Sequence, residues 1–149
     1  MIHFHTDSVP MPDLVQTRRA VLENWIKEVA AFYGFALGDI NYIFCDDEAI
    51  LRTNRQFLSH DYYTDIITFD YSTSSRLAGD IFISLDTVRS NADERGIAFG
   101  NELCRILIHG VLHLTGQGDK TPDTRAEMTR KEDHALSLLP LNPADAAVR

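Results

Sequence analysis

The chain has 149 residues, which favours one domain built around one hydrophobic core. Its hydrophobic content of 44% is ordinary for a globular protein, and no stretch approaches the roughly 20 uncharged apolar residues that cross a bilayer. The formal net charge of −8 argues against recognition of nucleic acid through the overall field of the protein. It leaves room for a local basic strip or a metal ion acting on a phosphate.

The compartment is predicted from the first residues and from the two cysteines. The opening MIHFHTDSVP has no basic start followed by an apolar run, so we do not expect a secretory signal. Cys45 and Cys104 stand apart, without a CxxC pair, and in such a chain they are expected to be buried thiols. We therefore predict a cytoplasmic protein with no membrane partner.

The first half of the chain alternates strands and helices. A short strand is predicted over residues 2–6, and a long helix over about 13–33, where apolar residues recur at helical spacing. The run 40–45 alternates and is rich in β-branched and aromatic residues, which predicts a second strand. Asp46 or Asp47 is placed to cap the helix that follows.

The second half begins with a predicted hairpin and ends in helices. Strands over 65–71 and 79–84 flank the turn-rich loop 72–78. Helices are predicted over about 86–98, 101–114 and 122–139. Residues 140–149 are predicted to be a flexible tail. The whole chain, 1–149, is therefore expected to be a single small α+β domain, with a mixed sheet of about four strands and helices packed against it.

A metal site is predicted on the helix in the C-terminal half. His109 and His113 are four residues apart, so both imidazoles point the same way from a helix. Gly116 is suited to end that helix, and Asp119 then returns as a third ligand. Two histidines and one carboxylate leave a coordination position open, which is typical of catalytic zinc sites. We predict one zinc ion per chain.

The alternative for these residues is a pair of buried helix histidines with an exposed loop aspartate. The spacing His-x3-His-x2-Gly-x2-Asp is also that of metzincin peptidases, which place a general-base glutamate directly after the first histidine. Here that position holds Gly110, so a peptidase is the weaker interpretation. A non-haem iron oxygenase also uses two histidines and a carboxylate, and remains an alternative.

Two charged residues share the helical face of His109. Glu102 and Arg105 lie one to two turns earlier, and either residue is a candidate to support the ligands or to contact substrate. The alternative is a favourable first-turn charge for Glu102 and a solvated side chain for Arg105. The other histidines have no ligand spacing and are expected to be incidental: His3, His5, His60 and His134.

Four sequence blocks resemble one known family. HGVLHLTGQGD, residues 109–119, is similar to the YbeY signature HGxLHLxGYDH. Residues 54–69 resemble the family's NxxYRxKDxPTDVLSF block, and GDIFIS at 79–84 resembles its GDIxIS strand. Glu127, Met128 and Glu132 resemble its C-terminal helix.

The resemblance implies a zinc-dependent, single-strand-specific endoribonuclease. It would act in maturation of the small-subunit ribosomal RNA 3′ end and in ribosome quality control. Its partners would be single-stranded RNA and the small ribosomal subunit. The non-enzymatic alternative is a ribosome-assembly factor whose metal only stabilises the fold.

The resemblance also has departures. Asp119 stands where the family usually has a histidine, and Gln117 and Gly118 replace Tyr and Asp. The family arginine thought to contact RNA or phosphate aligns with Leu58, and Arg55, one turn earlier, is the predicted substitute.

Further candidates lie in the blocks that flank the site. Asp65 and Asp80 are candidates for the general base. The candidate RNA contacts are Arg52, Arg55, Arg89, Arg95 and Arg105.

Overall fold

The computed structural model describes residues 1–58 and 64–146. His60, one of the histidines considered above, lies outside the described residues. The elements in chain order are β1 (Ile2–Thr6), α1 (Asp13–Phe32), β2 (Ala36–Cys45), α2 (Asp47–Leu58), β3 (Ile66–Asp70), β4 (Arg76–Ser84), α3 (Leu85–Arg95), α4 (Phe99–Leu114), α5 (Pro122–Ser137) and α6 (Pro143–Ala146).

The four strands form one mixed sheet in the order β1-β2-β4-β3, which confirms the predicted α+β fold. β1 and β4 both run parallel to β2, whereas β3 and β4 form the predicted antiparallel hairpin. β3 is therefore an edge strand.

The second strand begins four residues earlier than predicted. Ala36 and Leu37 pair with Arg76 and Leu77 of β4, and a register shift separates this pairing from the ladder that starts at Ile40. The sequence pattern identified only the regular part of the strand, because the early part is defined by its partner rather than by alternation. The same pairing extends β4 back to Arg76 and shortens the predicted loop.

Helices cover the two faces of the sheet unequally. The main core joins α1 and α4 to β1, β2 and β4, and Trp25 and Tyr42 are fully buried within it. α2 packs on the opposite face through Ala49 and Ile50, in a smaller cluster with Ile67. α4 has eleven buried residues among sixteen, so it is the central helix of the domain.

The structure tests the predictions for the α2 cap, the two cysteines and the C-terminal segment. Asp46 caps α2, since its carboxylate accepts a hydrogen bond from the backbone N–H of Ala49 at 2.8 Å. Both cysteines are buried free thiols, and burial raises the pKa of each to about 12. The predicted tail contains α6, and Leu141 packs against the main core.

Gly110 is a position of close packing between α4 and the sheet. A Cβ at this position would lie 3.0 Å from Ile81 Cδ1 and 3.3 Å from Ile66 Cδ1. We expect Gly110→Val to lower the free energy of unfolding by about 1–3 kcal/mol, because overpacking forces neighbouring side chains or the helix to shift. Urea unfolding would measure this loss. Gly118→Ala is the control, because a Cβ there meets nothing within 4 Å. A Gly110→Val protein as stable as the wild type would contradict the close packing.

Candidate metal centre

The last turns of α4 place two histidines on one face, as the spacing predicts. α4 ends at Leu114, and Gly116 adopts a φ of +101°, a conformation that glycine tolerates without strain. The chain then reverses and brings Asp119 back to the imidazoles of His109 and His113. Three residues from an eleven-residue segment therefore meet at one point.

The three side chains offer one donor atom each at distances suited to a single ion. Asp119 Oδ2 lies 3.3 Å from Nε2 of His109 and 3.3 Å from Nε2 of His113. All three donor atoms lie within 4.8 Å of one another. Tetrahedral zinc with bonds of about 2.0–2.1 Å separates its ligands by roughly 3.3 Å. The donor set therefore fits a zinc-sized ion with little rearrangement.

Each imidazole is oriented by a hydrogen bond on its other nitrogen. Nδ1 of His109 donates to Glu132 Oε2 at 2.5 Å, and Nδ1 of His113 donates to the carbonyl oxygen of Gln117 at 3.0 Å. Because Nδ1 carries the proton in each ring, Nε2 keeps the lone pair that binds a metal. The sequence signal for Glu132 was weak, since it lies 23 residues beyond His109 on another helix.

The protonation of the two histidines differs because their surroundings differ. Burial disfavours the imidazolium of His109, but the hydrogen bond and charge of Glu132, with the charge of Asp119, outweigh burial and raise its pKa. Burial and the neighbouring His109 lower the pKa of His113. A metal ion at this site would therefore compete with a proton at His109, and its binding would weaken as the pH falls.

Two cavities flank the ligands, and they share Asp65, His109 and Asp119. The α5-side cavity is also lined by Arg95, Arg105, Arg125, Glu102, Glu132 and Asp133. The β3-side cavity is also lined by Asn54, Leu58, Thr64, Thr68, Asp70 and Lys120. The candidate ligands are thus accessible from two directions.

The structure distinguishes the two candidates for the general base by where they lie. Asp65 lines both cavities beside the ligands, whereas Asp80 lines neither of them. Asp80 instead accepts a hydrogen bond from Asn41 at 3.1 Å. The structure thus brings Asp65, but not Asp80, to the candidate site.

Glu102 and Arg105 both engage partners in the α5-side cavity. Glu102 is 2% exposed and accepts a hydrogen bond from Arg95 at 2.8 Å. Burial raises the pKa of Glu102, against the opposing effect of Arg95. Arg105 donates to Glu132 and Asp133, both at 2.9 Å, so it is not a solvated side chain. Sequence reasoning placed both residues on the correct helical face but did not identify their partners.

The remaining arginine candidates are dispersed. Arg95 lines the α5-side cavity, whereas the guanidinium of Arg89 lies over the ring of Phe99, 4.7 Å from its centroid. Arg52 and Arg55 are exposed on α2 and belong to neither cavity lining. Arg125, which sequence reasoning did not single out, lines the α5-side cavity and donates to the carbonyl oxygen of Lys120 at 3.2 Å.

The position of Asp119 gives a test of the ligand set. We expect Asp119→Ala to weaken metal binding by at least about tenfold, because groups that merely orient ligands already contribute factors of 10–100. Asp119→His restores a nitrogen donor and should retain the metal. Competition with a chromophoric chelator measures both variants. Unchanged affinity in Asp119→Ala would exclude Asp119 as a ligand.

Fold and site together define a small α+β domain with a two-histidine, one-carboxylate cluster suited to hold one metal ion. The family model described as Endoribonuclease YbeY matches residues 2–140. The chain therefore belongs to the endoribonuclease YbeY family.

Similar proteins support this assignment along almost the full chain. An endoribonuclease YbeY of Bacteroides thetaiotaomicron is 53% identical over 137 residues, which is 92% of this chain and 98% of that protein. An endoribonuclease YbeY of Phocaeicola vulgatus is 53% identical over 141 residues, 95% of this chain and 100% of that protein. The solution structure of a Thermotoga maritima protein matches with a TM-score of 0.69 at 26% identity, covering 93% of this chain and 89% of that one.

Within the described parts of the chain, no helix combines the length and the apolar character needed to cross a membrane.

Proposed function

We propose that this protein is a metal-dependent endoribonuclease that cleaves single-stranded RNA at the site formed by His109, His113 and Asp119. The observation that carries the proposal is the convergence of three donor atoms, with both imidazoles held by outer hydrogen bonds. The names of the two relatives that are 53% identical supply the substrate class, since both are called endoribonuclease YbeY.

The finer proposal follows the resemblance of the 109–119 segment to the family signature. The ion is zinc, one per chain, and the substrate is ribosomal RNA at the 3′ end of the small subunit. The protein then acts in ribosome maturation and quality control in the cytoplasm. Two histidines and a carboxylate are a donor set that zinc accepts, which supports the choice of metal.

Cleavage of a phosphodiester requires stabilisation of negative charge and removal of a proton from the attacking group. A bound zinc ion would supply Lewis acidity toward the phosphate. Asp65, which lines both cavities with His109 and Asp119, is the proposed proton acceptor. Glu132 and the Gln117 carbonyl keep the two imidazoles in their metal-binding orientation.

Position 110 weighs against the peptidase alternative. A metzincin has its general-base glutamate at this position. The Cβ of such a side chain would lie 3.0 Å from Ile81 and would face the sheet. A carboxylate placed against Ile81 and Ile66 would be buried in apolar surroundings, which is costly for a charge.

The test compares single-stranded RNA with a duplex of the same sequence, each incubated with zinc-loaded protein. We expect the single strand to be cleaved and the duplex to be cleaved little. Removal of zinc by a chelator should abolish cleavage of either RNA. Casein is included as a peptidase substrate. A zinc-loaded protein that cleaves neither RNA, but retains its metal, would support the assembly-factor alternative instead.

Arg55 is the proposed contact for RNA phosphate on the α2 side. It is exposed, and its helical neighbours Asn54 and Leu58 line the β3-side cavity. We expect Arg55→Ala to weaken RNA binding and to reduce the salt slope, the fall of log affinity per log unit of salt, by about 0.7. Binding titrations at several salt concentrations measure this slope, and zinc content should not change. An unchanged slope would remove Arg55 from the substrate path.

A further inference from the structure

A continuous chain of polar contacts leads from α4 through α5 and back to a proposed metal ligand. Arg105 Nη1 donates to Glu132 Oε1 at 2.9 Å. The other oxygen of that carboxylate, Oε2, accepts the Nδ1 proton of His109 at 2.5 Å. Arg105 Nη2 donates to Asp133 Oδ1, also at 2.9 Å. The guanidinium of Arg105 thus donates hydrogen bonds to two consecutive acidic residues of α5. The first of these, Glu132, also accepts the hydrogen bond from His109.

Because Glu132 is buried, its carboxylate depends on the ion pair with Arg105. Its side chain is only 8% exposed, and a buried carboxylate needs charged or hydrogen-bonding partners to offset its desolvation. The planar guanidinium is suited to hold carboxylates in a fixed geometry, because its N–H groups form a rigid fork. Arg105 therefore fixes both the charge and the orientation of the carboxylate that faces His109.

The charges make Arg105 a poor phosphate ligand. Nη1 and Nη2 of Arg105 already donate hydrogen bonds to carboxylates, and the side chain is 26% exposed. The group formed by Arg105, Glu132 and Asp133 carries one positive and two negative charges, so its formal sum is −1. A phosphate approaching this group would meet repulsion rather than an unused cation.

We propose that Arg105 is a positioning residue for the metal centre: it holds Glu132 so that His109 presents Nε2 to the ion, and it does not bind RNA. The inference rests on the proposed metal site and assigns to Arg105 a role that differs from substrate contact. Its effect on zinc must pass through Glu132, since the described contacts join Arg105 to His109 only by that carboxylate.

The test is a double-mutant cycle on zinc affinity, measured by competition with a chromophoric chelator at fixed pH. We expect Glu132→Gln to weaken binding by about 10–100-fold and Arg105→Ala by about tenfold. In the Glu132→Gln background, Arg105→Ala should produce little further loss, because residues that act along one path are not additive. Arg105→Lys, which cannot reproduce the two-armed grip, should lie between wild type and Arg105→Ala.

Arg95→Ala is the matched control. Arg95 lines the same cavity and neutralises another buried acid, Glu102, at the same kind of distance. Its removal should therefore resemble Arg105→Ala in its effects on cavity charge and melting temperature while leaving zinc affinity unchanged. The visible spectrum of the Co²⁺-substituted protein, which reports ligand geometry, should change in Arg105→Ala but not in Arg95→Ala.

Three results would overturn the inference. One is zinc affinity and a Co²⁺ spectrum in Arg105→Ala identical to those of wild type. Another is an equal, additive loss in the Glu132→Gln background. The third is reduced RNA affinity with unchanged zinc affinity, which would make Arg105 a substrate contact. A wild-type protein that binds neither ion would instead overturn the proposed function itself, together with this inference.

Discussion

Replacing His113 with alanine is expected to weaken zinc binding by more than about a hundredfold. The substitution removes one of three donor atoms, whereas loss of a group that only orients a ligand already weakens binding 10–100-fold. Because an ion that binds only the native state stabilises it, the variant should also lose the rise in melting temperature that zinc produces in the wild type. Chelator competition and thermal melts with and without zinc measure the two effects.

His134→Ala is the control for the His113 prediction. His134 is exposed on α5 and contacts the ring of Phe32, so its loss should alter neither zinc affinity nor the zinc-dependent rise in melting temperature. Equal zinc affinity in the His113→Ala and His134→Ala proteins would contradict the ligand assignment.

The largest loss of stability is expected at Trp25. Its side chain is 0% exposed, and its indole N–H donates to the carbonyl oxygen of Ala135 at 2.8 Å, linking α1 to α5. Trp25→Ala should lower the free energy of unfolding by about 3–5 kcal/mol, through the cavity and the lost transfer energy. Urea unfolding curves measure the change.

Phe32→Ala is the matched control for Trp25, since it removes an aromatic ring from the same helix. Phe32 is 62% exposed and contacts only the rings of Tyr33 and His134 among the aromatic pairs of the described residues. We expect a loss of about 1 kcal/mol or less. Similar losses in the two variants would contradict the position of Trp25 at the centre of the core.

The candidate metal-binding cluster could be predicted from the sequence because its geometry is local. His109, His113 and Asp119 lie within eleven residues, and helix periodicity with a glycine reversal at Gly116 is enough to bring them together. The fold class followed from alternation and from the hairpin for the same reason: each signal is contained in a short segment.

The residues around the ligands required the tertiary structure. Glu132 and Asp133 meet Arg105 only because α5 packs beside α4, and no periodicity in either helix specifies that contact. Likewise, the early part of β2 is fixed by pairing with β4. On α2, Ala49 and Ile50 form the packed side and Phe57 is 61% exposed, a division that depends on how the helix lies against the sheet.

Leu58 departs from the family pattern at a position outside the candidate metal-binding cluster. Leu58 is 37% exposed and lines the β3-side cavity. The sequence block of the family that residues 54–69 resemble has an arginine at this position. Arg52 and Arg55 lie exposed on the same helix, and with a net charge of −8 the attraction of a phosphate would have to be local. The salt-dependence experiment on Arg55 therefore tests how this chain accommodates RNA.

The most direct test of the central claim is the rate of cleavage of a single-stranded RNA spanning the small-subunit ribosomal 3′ end. Zinc-loaded wild type, His113→Ala and the control His134→Ala are compared at equal protein concentration. We expect cleavage by wild type and His134→Ala, and a rate at least about a hundredfold lower for His113→Ala. Equal cleavage by His113→Ala and wild type would contradict an RNA-cleaving metal centre at this site.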